Sequence, residues 1–323
     1  MLYYNPFQTG ITNMTRNAKP FLKWAGGKKQ LLGEIGKRLP PELESGEVTR
    51  YVEPFVGGGA VFFHIVNRFD FGEIHICDVN EELIVAYSVV QNDVAGLIDM
   101  LASLQQAYGD TAPSGKEEFY YGIRKEFNKD RDSFNYDRYG RKWVERAAQL
   151  IFLNRTCYNG LFRVNSGGYF NVPVGKYKNP GIVHAENLKM VSSALQNVRI
   201  HRGDFTICES LIDENSFVYL DPPYRPLNGT STFTSYSKDA FGEQEQIRLA
   251  EFYRHADSRR ARLMLSNSDP GNENPADDFF DRLYSGFNIE RVLARRNINS
   301  KSHRRGPVSE LIITNYPHPT GDM

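Results

Sequence analysis

The chain has 323 residues, 40% of them hydrophobic, and its 39 basic and 39 acidic side chains leave no net charge. That length and apolar content suit one large core carrying an insertion, and they exclude a disordered chain. Three widely spaced cysteines, Cys77, Cys157 and Cys208, without a C-x-x-C pair, suggest neither a disulfide framework nor a zinc ribbon and fit a reducing, cytoplasmic setting. No charged-then-apolar leader and no bilayer-length apolar run occurs, so neither export nor a membrane partner is expected.

In chain order, "TRYVEPFVGGGAVFFHIV" reads as a strand over residues 51–53, a glycine turn at Gly57 to Gly59 and an apolar helix from Ala60. Such a turn lets the backbone approach a ligand closely and aims a helix N-terminus at it. The next strand, "EIHICD", ends in Asp78, 21 residues beyond Gly57, where a Rossmann-like fold holds ribose hydroxyls. The two features point to an adenosine-containing cofactor and leave a nicotinamide dinucleotide and S-adenosylmethionine both open.

From about residue 88 to 190 the texture changes. Helical patterns such as "VERAAQLIFLN" give way to "RTCYNGLFRVNSGGYFNVPVGKYKNPG", rich in Gly, Asn, Pro and Tyr, which predicts a helical insertion with a protruding β-hairpin. Charge collects here: residues 141–180 hold seven basic side chains against Glu145 alone, and residues 291–305 hold six with no acid. Solvated loops would account for either run. Aromatic, Asn and Arg residues interleaved in the first also suit base stacking and base-edge reading, so a nucleic-acid partner stays open despite the neutral sum.

Further strands are expected at 197–205, 216–221, 261–268, 287–294 and 309–316, with helical periodicity between several of them. The alternation implies an α/β sheet with its site at the carboxyl ends of the strands, closed by a C-terminal antiparallel hairpin. The strand "SFVYLD" runs directly into "PPYRP". Asp221 therefore ends a central strand, and the following prolines fix the backbone and remove N–H groups that would compete for the Pro222 carbonyl. The Asp221 carboxylate and that carbonyl would suit a planar amino group with two hydrogens, drawing its lone pair out of the ring and toward an electrophile. Tyr224 offers a flat face for the ring. An aspartate with an ordinary pKa near ~4 is too weak a base to take a proton before attack, so its expected task is orientation, with the proton leaving after transfer. No metal is expected: the seven histidines form no H-x-x-x-H or Cys/His pattern.

With these motifs in this order, the sequence resembles the N6-adenine DNA methyltransferases of the Dam/DpnII type, over residues 18 to 316. "PFLKWAGGKKQLL" matches their N-terminal cofactor segment, "EPFVGGGA" the glycine loop, "CDVN" the ribose acid, "GDF" the adenine-binding turn, "DPPY" the catalytic motif and "RRGPVSELIITNY" the C-terminal segment. The resemblance implies a Rossmann-like, S-adenosylmethionine-dependent sheet in two parts, 18–87 and 191–323, around a target-recognition insertion at 88–190, with 1–17 as a tail. It implies S-adenosylmethionine bound by Trp24, Lys28, Phe55, Gly57, Gly59, Asp78, Asp204, Phe205 and Asp221, with Lys28 near its carboxylate and Asp204 and Phe205 at its adenine. Catalysis would fall to Asp221, Pro222 and Tyr224.

"NRTCYNGLFRVN" and "YFNVPVGKYKNP" resemble the recognition hairpin of enzymes that methylate adenine in GATC. That likeness implies double-stranded DNA as partner, with Tyr158 wedged into the duplex and Asn159 by the orphaned base while adenine is flipped out. Arg163 would read a guanine, and Leu161 and Pro173 the thymine methyls; a phosphate contact is the other reading of Arg163. Arg295, Lys301 and Arg304 would grip phosphates, residues 225–237 would form a lid, and a monomer would suffice for one flipped base. Three rivals remain: a methyltransferase on another amino nitrogen, such as an RNA base or a protein glutamine; an inactive DNA-binding relative; and a nicotinamide oxidoreductase, to which the Asp-Pro-Pro-Tyr strand end offers no role.

Overall fold

A computed structural model of the protein describes residues 17–225, 241–294 and 308–317. Its strands are β1 (Arg50–Glu53), β2 (Glu73–Asp78), β3 (Val198–Arg202), β4 (Ser216–Leu220), β5 (Arg262–Ser268), β6 (Asn288–Ala294) and β7 (Val308–Thr314). Each lies where the apolar alternation predicts a strand. The 197–205 run stops early, because Gly203 (φ 154) turns the chain into a 3-10 stretch, Phe205–Leu211. All seven join one sheet in the order β3-β2-β1-β4-β5-β7-β6. The first five are parallel, and β7 runs antiparallel to both β5 and β6, as expected of the C-terminal hairpin.

Helices cover both faces, so the central β4 is buried at every residue and reads as a continuous apolar run. On one face Tyr51, Ile76, Tyr219, Met264 and Ile312 pack under the N-terminal segment with α1 (Leu32–Lys37), α2 (Glu42–Ser45) and α3 (Ala60–Val66). On the other, Val52, Cys77, Val218, Leu265 and Ile313 pack under α9 (Glu243–Ser258) and α10 (Phe279–Leu283). The parallel ladder brings Glu53, Asp78 and Asp221 to the same edge of the sheet.

The helical block consists of α4 (Glu81–Asn92), α5 (Val94–Asp110), α6 (Lys116–Lys129), α7 (Arg141–Thr156) and α8 (Ala185–Leu195). Asn80 caps α4, accepting from the N–H groups of Glu82 and Leu83, and Asp93 breaks the chain from α4 into α5 and caps the latter at Gly96. The borders expected at 88 and 190 fall inside α4 and α8. Both helices belong to one continuous apolar core with the sheet, because α4 buries one side against β2 and β3 and the other against α7 and α8. The junction is pinned by a buried ion pair: the Arg146 guanidinium on α7 donates to both carboxylate oxygens of Glu82 on α4, and Tyr136 donates to the same carboxylate at 2.7 Å.

The protruding β-hairpin expected within residues 155–181 takes an irregular form without named strands: antiparallel bridges pair Cys157 with Val174 and Val164 with Phe170, joined by backbone hydrogen bonds from Tyr158 to Pro173, Gly175 to Thr156, Asn165 to Tyr169 and Asn171 to Arg163. Side chains of α6 take the backbone groups of the second arm that face away from the first. Tyr120 and Arg124 donate to the Val172 carbonyl, while Asn128 donates to the Phe170 carbonyl and accepts from its N–H. The segment is thereby held as an irregular loop against the helical block. No single described helix is long and apolar enough to cross a membrane.

Candidate active site

A cavity of about 600 Å³ opens at the carboxyl ends of the parallel strands. Its wall takes Trp24 to Lys28 from the N-terminal segment, Glu53 to Gly58 after β1, Asp78 to Asn80 after β2, Gly203 to Phe205 after β3 and Asp221 to Tyr224 after β4. Sequence segments up to 200 residues apart thus meet in one place, including most of the residues expected there.

The glycine loop is shaped by what stands against it. Gly57 adopts φ 48, where a side chain would be strained, and a Cβ on Gly58 would come within 2.8 Å of the Trp24 side chain. Gly59 is different. It lies behind the wall, where a Cβ would collide with the Tyr87 hydroxyl and the Phe63 ring, so its part is to seat α3 against α4. Asp78 fixes the loop by accepting from Gly57 N–H through one oxygen at 2.9 Å and from Asn80 N–H through the other at 2.8 Å. Burial pushes its pKa up to about 6, against the lowering pull of those backbone donors. Asp204 accepts from Thr206 N–H and pairs with Arg248, whose guanidinium lies over the buried Phe205 ring at 4.7 Å. Burial raises the Asp204 pKa, but Thr206 and Arg248 outweigh it and hold the carboxyl below its usual range. Phe55 packs against Phe205 and Phe241, completing an apolar corner beside two acids.

Asp221 sits just past β4. Its Oδ1 meets Lys28 Nζ at 2.7 Å and Ser266 Oγ at 3.2 Å. The expectation placed Lys28 beside the cofactor's carboxylate; here its buried ammonium turns to Asp221, stands 4.5 Å from the Tyr224 ring centroid and donates to the Tyr224 hydroxyl at 2.9 Å. Tyr224 in turn donates to Glu310 Oε2 at 2.6 Å. A buried cation needs such partners: burial alone would lower the Lys28 pKa, yet Asp221, Tyr224 and Glu310 outweigh it and raise it. Burial raises the Asp221 pKa as well, with Lys28 and Ser266 pulling it back, and we take the pair as ionised. The Tyr224 face expected to receive a ring is thus shared with Lys28.

The residues expected to meet DNA lie beyond the Trp24 wall. Trp24 stacks on Phe162 with centroids 5.0 Å apart and planes 21° from parallel. Asn154, buried at the end of α7, exchanges two hydrogen bonds with the Lys23 backbone and donates a third to the Gly160 carbonyl. Tyr158 and Asn159 are exposed at the turn that follows, Asn159 with a left-handed backbone (φ 57), and Tyr158 N–H donates to the carbonyl of the exposed Pro173. Arg163 is exposed and braced by Asn171 Oδ1 at 2.8 Å; Leu161 is half-buried and packs against the core. Arg295, Lys301 and Arg304, residues 226–237 of the expected lid and residues 1–16 of the tail lie outside the described residues.

Sequence reading overlooked Glu53, Glu245 and Arg248, which line the cavity, and the partners of the turn after β4. Glu53 had a signal, since it ends β1 as Asp221 follows β4. Arg248 had none, because it sits on an ordinary polar helix whose register with Asp204 only the fold supplies. Glu53 is wholly buried, which pushes its pKa well above the usual carboxylate range against the lowering effect of the Tyr51 hydroxyl that it accepts from. Among the described residues no group of three or more His, Cys, Asp or Glu side chains is arranged to hold a metal ion.

The mixed sheet with this cavity defines an α/β enzyme of the methyltransferase type. The family model described as D12 class N6 adenine-specific DNA methyltransferase matches residues 24–298, and the chain belongs to that family. It is 51% identical over 299 residues to the type II methyltransferase M.MjaIII of Methanocaldococcus jannaschii, covering 92% of this chain and 99% of that one. It is 38% identical to the type II methyltransferase M1.LlaDCHI of Lactococcus lactis (93% and 96% covered) and 34% identical to the DNA adenine methylase of Escherichia coli (93% and 96% covered).

Proposed function

We propose that this adenine-N6 DNA methyltransferase takes its methyl group from S-adenosylmethionine and acts on an adenine flipped out of duplex DNA, within GATC. The observation that carries the reading is the meeting of Asp221 and Tyr224 with the glycine loop, Asp78 and Asp204 in one cavity. The cavity suits the cofactor chemically: an acid for ribose hydroxyls at Asp78 and, at Phe55, Phe205 and Asp204, an apolar corner with an acid for a purine. S-adenosylmethionine would supply a methyl group on a sulfonium whose departure needs no acid.

The chain's own residues do the rest. Asp221 and the Pro222 carbonyl accept the two hydrogens of the adenine amino group and orient its nitrogen, and the Tyr224 ring supports the base. Lys28 already shows that this carboxylate accepts an N–H donor lying over that ring. Lys28 also keeps Asp221 ionised as an acceptor. The amino proton leaves after transfer. Residues 88–190 serve as the recognition segment, with Tyr158 entering the duplex, Asn159 beside the orphaned base, and Arg163, Leu161 and Pro173 reading base edges, where the exposure of Tyr158, Asn159, Arg163 and Pro173 supports the assignment.

The test is transfer of labelled methyl to paired oligonucleotides at a stated salt concentration: one with a central GATC, one with that adenine already N6-methylated, and one with the four bases permuted. Label on the first alone supports the reading in full. Label on the permuted duplex overturns GATC and leaves the chemistry standing, and label on none of them overturns the substrate.

A further inference from the structure

We propose that Ser266 and Asn267, consecutive residues of β5, are positioning residues that decide which acceptors of the catalytic turn remain open to substrate. They point to opposite faces of the strand, and each reaches a different part of the turn. Ser266 Oγ lies 3.2 Å from Asp221 Oδ1 and 2.7 Å from the Tyr219 hydroxyl; with its single proton given to the carboxylate, Tyr219 must be the donor to Ser266. Asn267 donates to Gln246 Oε1 at 3.2 Å, and Gln246 Nε2 donates to the Pro223 carbonyl at 3.0 Å. Tyr219, Gln246, Ser266 and Asn267 are all fully buried, so none of these bonds is exchanged with water.

The bonds divide the turn. Asp221 Oδ1 is claimed by Ser266 and Lys28, and the Pro223 carbonyl by Gln246. Among the described residues nothing donates to Asp221 Oδ2 or to the Pro222 carbonyl, the two groups that an amino group with two hydrogens requires. Without Ser266 only Lys28 holds Oδ1, and a single point-charge donor on a long side chain can follow either oxygen as the carboxylate turns about its last bond. Without the Asn267–Gln246 arm the Pro223 carbonyl loses its buried donor, and the peptide carrying the Pro222 carbonyl is no longer braced. The inference rests on the proposed function, because the open acceptors are those which that reaction uses.

The experiment compares Ser266→Ala, Ser266→Thr, Gln246→Leu and the parent chain, all full length. It measures the single-turnover methyl-transfer rate against pH on whichever duplex the parent methylates, cofactor affinity, and the pH dependence of the stability difference between each chain and its Asp221→Asn derivative. Ser266→Ala should slow the chemical step on the order of tenfold to a hundredfold, as expected for a hydrogen bond to a charged group. Its KM for DNA and its cofactor affinity should change by less than about threefold, and Ser266→Thr should restore the rate. Loss of the Ser266 donor should move the acid limb of the profile, and the midpoint of the stability difference, to higher pH. Gln246→Leu should slow transfer without moving either. Parent-like rate and midpoint in Ser266→Ala, or equal losses in Ser266→Ala and Ser266→Thr, would overturn the proposal. A parent chain that methylates no DNA would overturn the functional reading instead; the stability midpoint still decides whether Ser266 sets the state of Asp221.

Discussion

The turn after β4 and the loop between Cys157 and Gly175 both contain proline and lie outside regular structure, yet they are held in opposite ways. The first is braced from beneath by buried Ser266 and Gln246 and from the cavity wall by Lys28, with Asp221 Oδ2 and the Pro222 carbonyl left open. The second is braced from behind by α6 and α7, with Tyr158, Asn159, Arg163 and Pro173 in solvent. A reaction that orients one small group gains from rigid acceptors, whereas a surface that meets DNA gains from side chains free to settle on it. The contrast teaches where substitutions should be felt: in rate at the turn, in selectivity at the loop.

The sharpest test removes the acceptor itself. Asp221→Ala should cut single-turnover transfer by roughly a thousandfold or more while cofactor and DNA binding persist, as for loss of a preorganised electrostatic group. Rapid-quench assays beside binding titrations check it, and residual turnover within about tenfold of the parent would break the comparison. Glu82→Ala tests the joint between the two regions. Leaving the Arg146 guanidinium buried and unpaired should cost about 3 to 5 kcal/mol of stability, read by denaturant titration. Arg163→Ala should relax selection by about 1 to 3 kcal/mol at one base pair while the rate on the best duplex holds, measured by competition between cognate and singly altered duplexes. A uniform loss on all sequences would make Arg163 a phosphate contact.

The smallest expected effect is one of pH. The folded-state pKa of Asp78 is raised to about 6, so its ionisation is stabilised less in the fold than in the unfolded chain, and its contribution to stability is lost as pH rises through that value. Binding runs the other way, because ribose hydroxyls donate best to the ionised form. Cofactor affinity should fall by up to tenfold per unit as pH drops below about 6, and that limb should vanish in Asp78→Asn, by calorimetry across pH 5 to 8.

Much of this was legible in the sequence, for reasons that differ by region. The strand positions follow from the apolar runs, and Asp78 and Asp221 from the rule that parallel sheets place their sites at carboxyl ends. Gly59 misled, since a glycine loop carries the same letters whether a glycine faces a ligand or a packed helix. The antiparallel pairing of the two arms between 157 and 175 was legible in the alternation of "YFNVPV", whereas the docking of its outer edge on Asn128 and Tyr120 of α6 was not, because their proximity is a property of the tertiary structure. Ser266 and Gln246 could not have been singled out, because a buried serine or glutamine acquires meaning only from what it touches.

The wall of the cavity and the 157–175 loop share a joint. Asn154 ties the Lys23 backbone, next to the Trp24 wall of the cavity, to Gly160 in that loop, and the Trp24–Phe162 stack closes the seam beside it. If residues 157–175 read the target as proposed, transplanting them from a relative to give this enzyme a new target sequence would therefore cut through a shared joint. The graft must carry Gly160 and Phe162 unchanged, or bring the donor's own residues 19–24 with it, if the transplanted loop is to sit where the host's chemistry expects it.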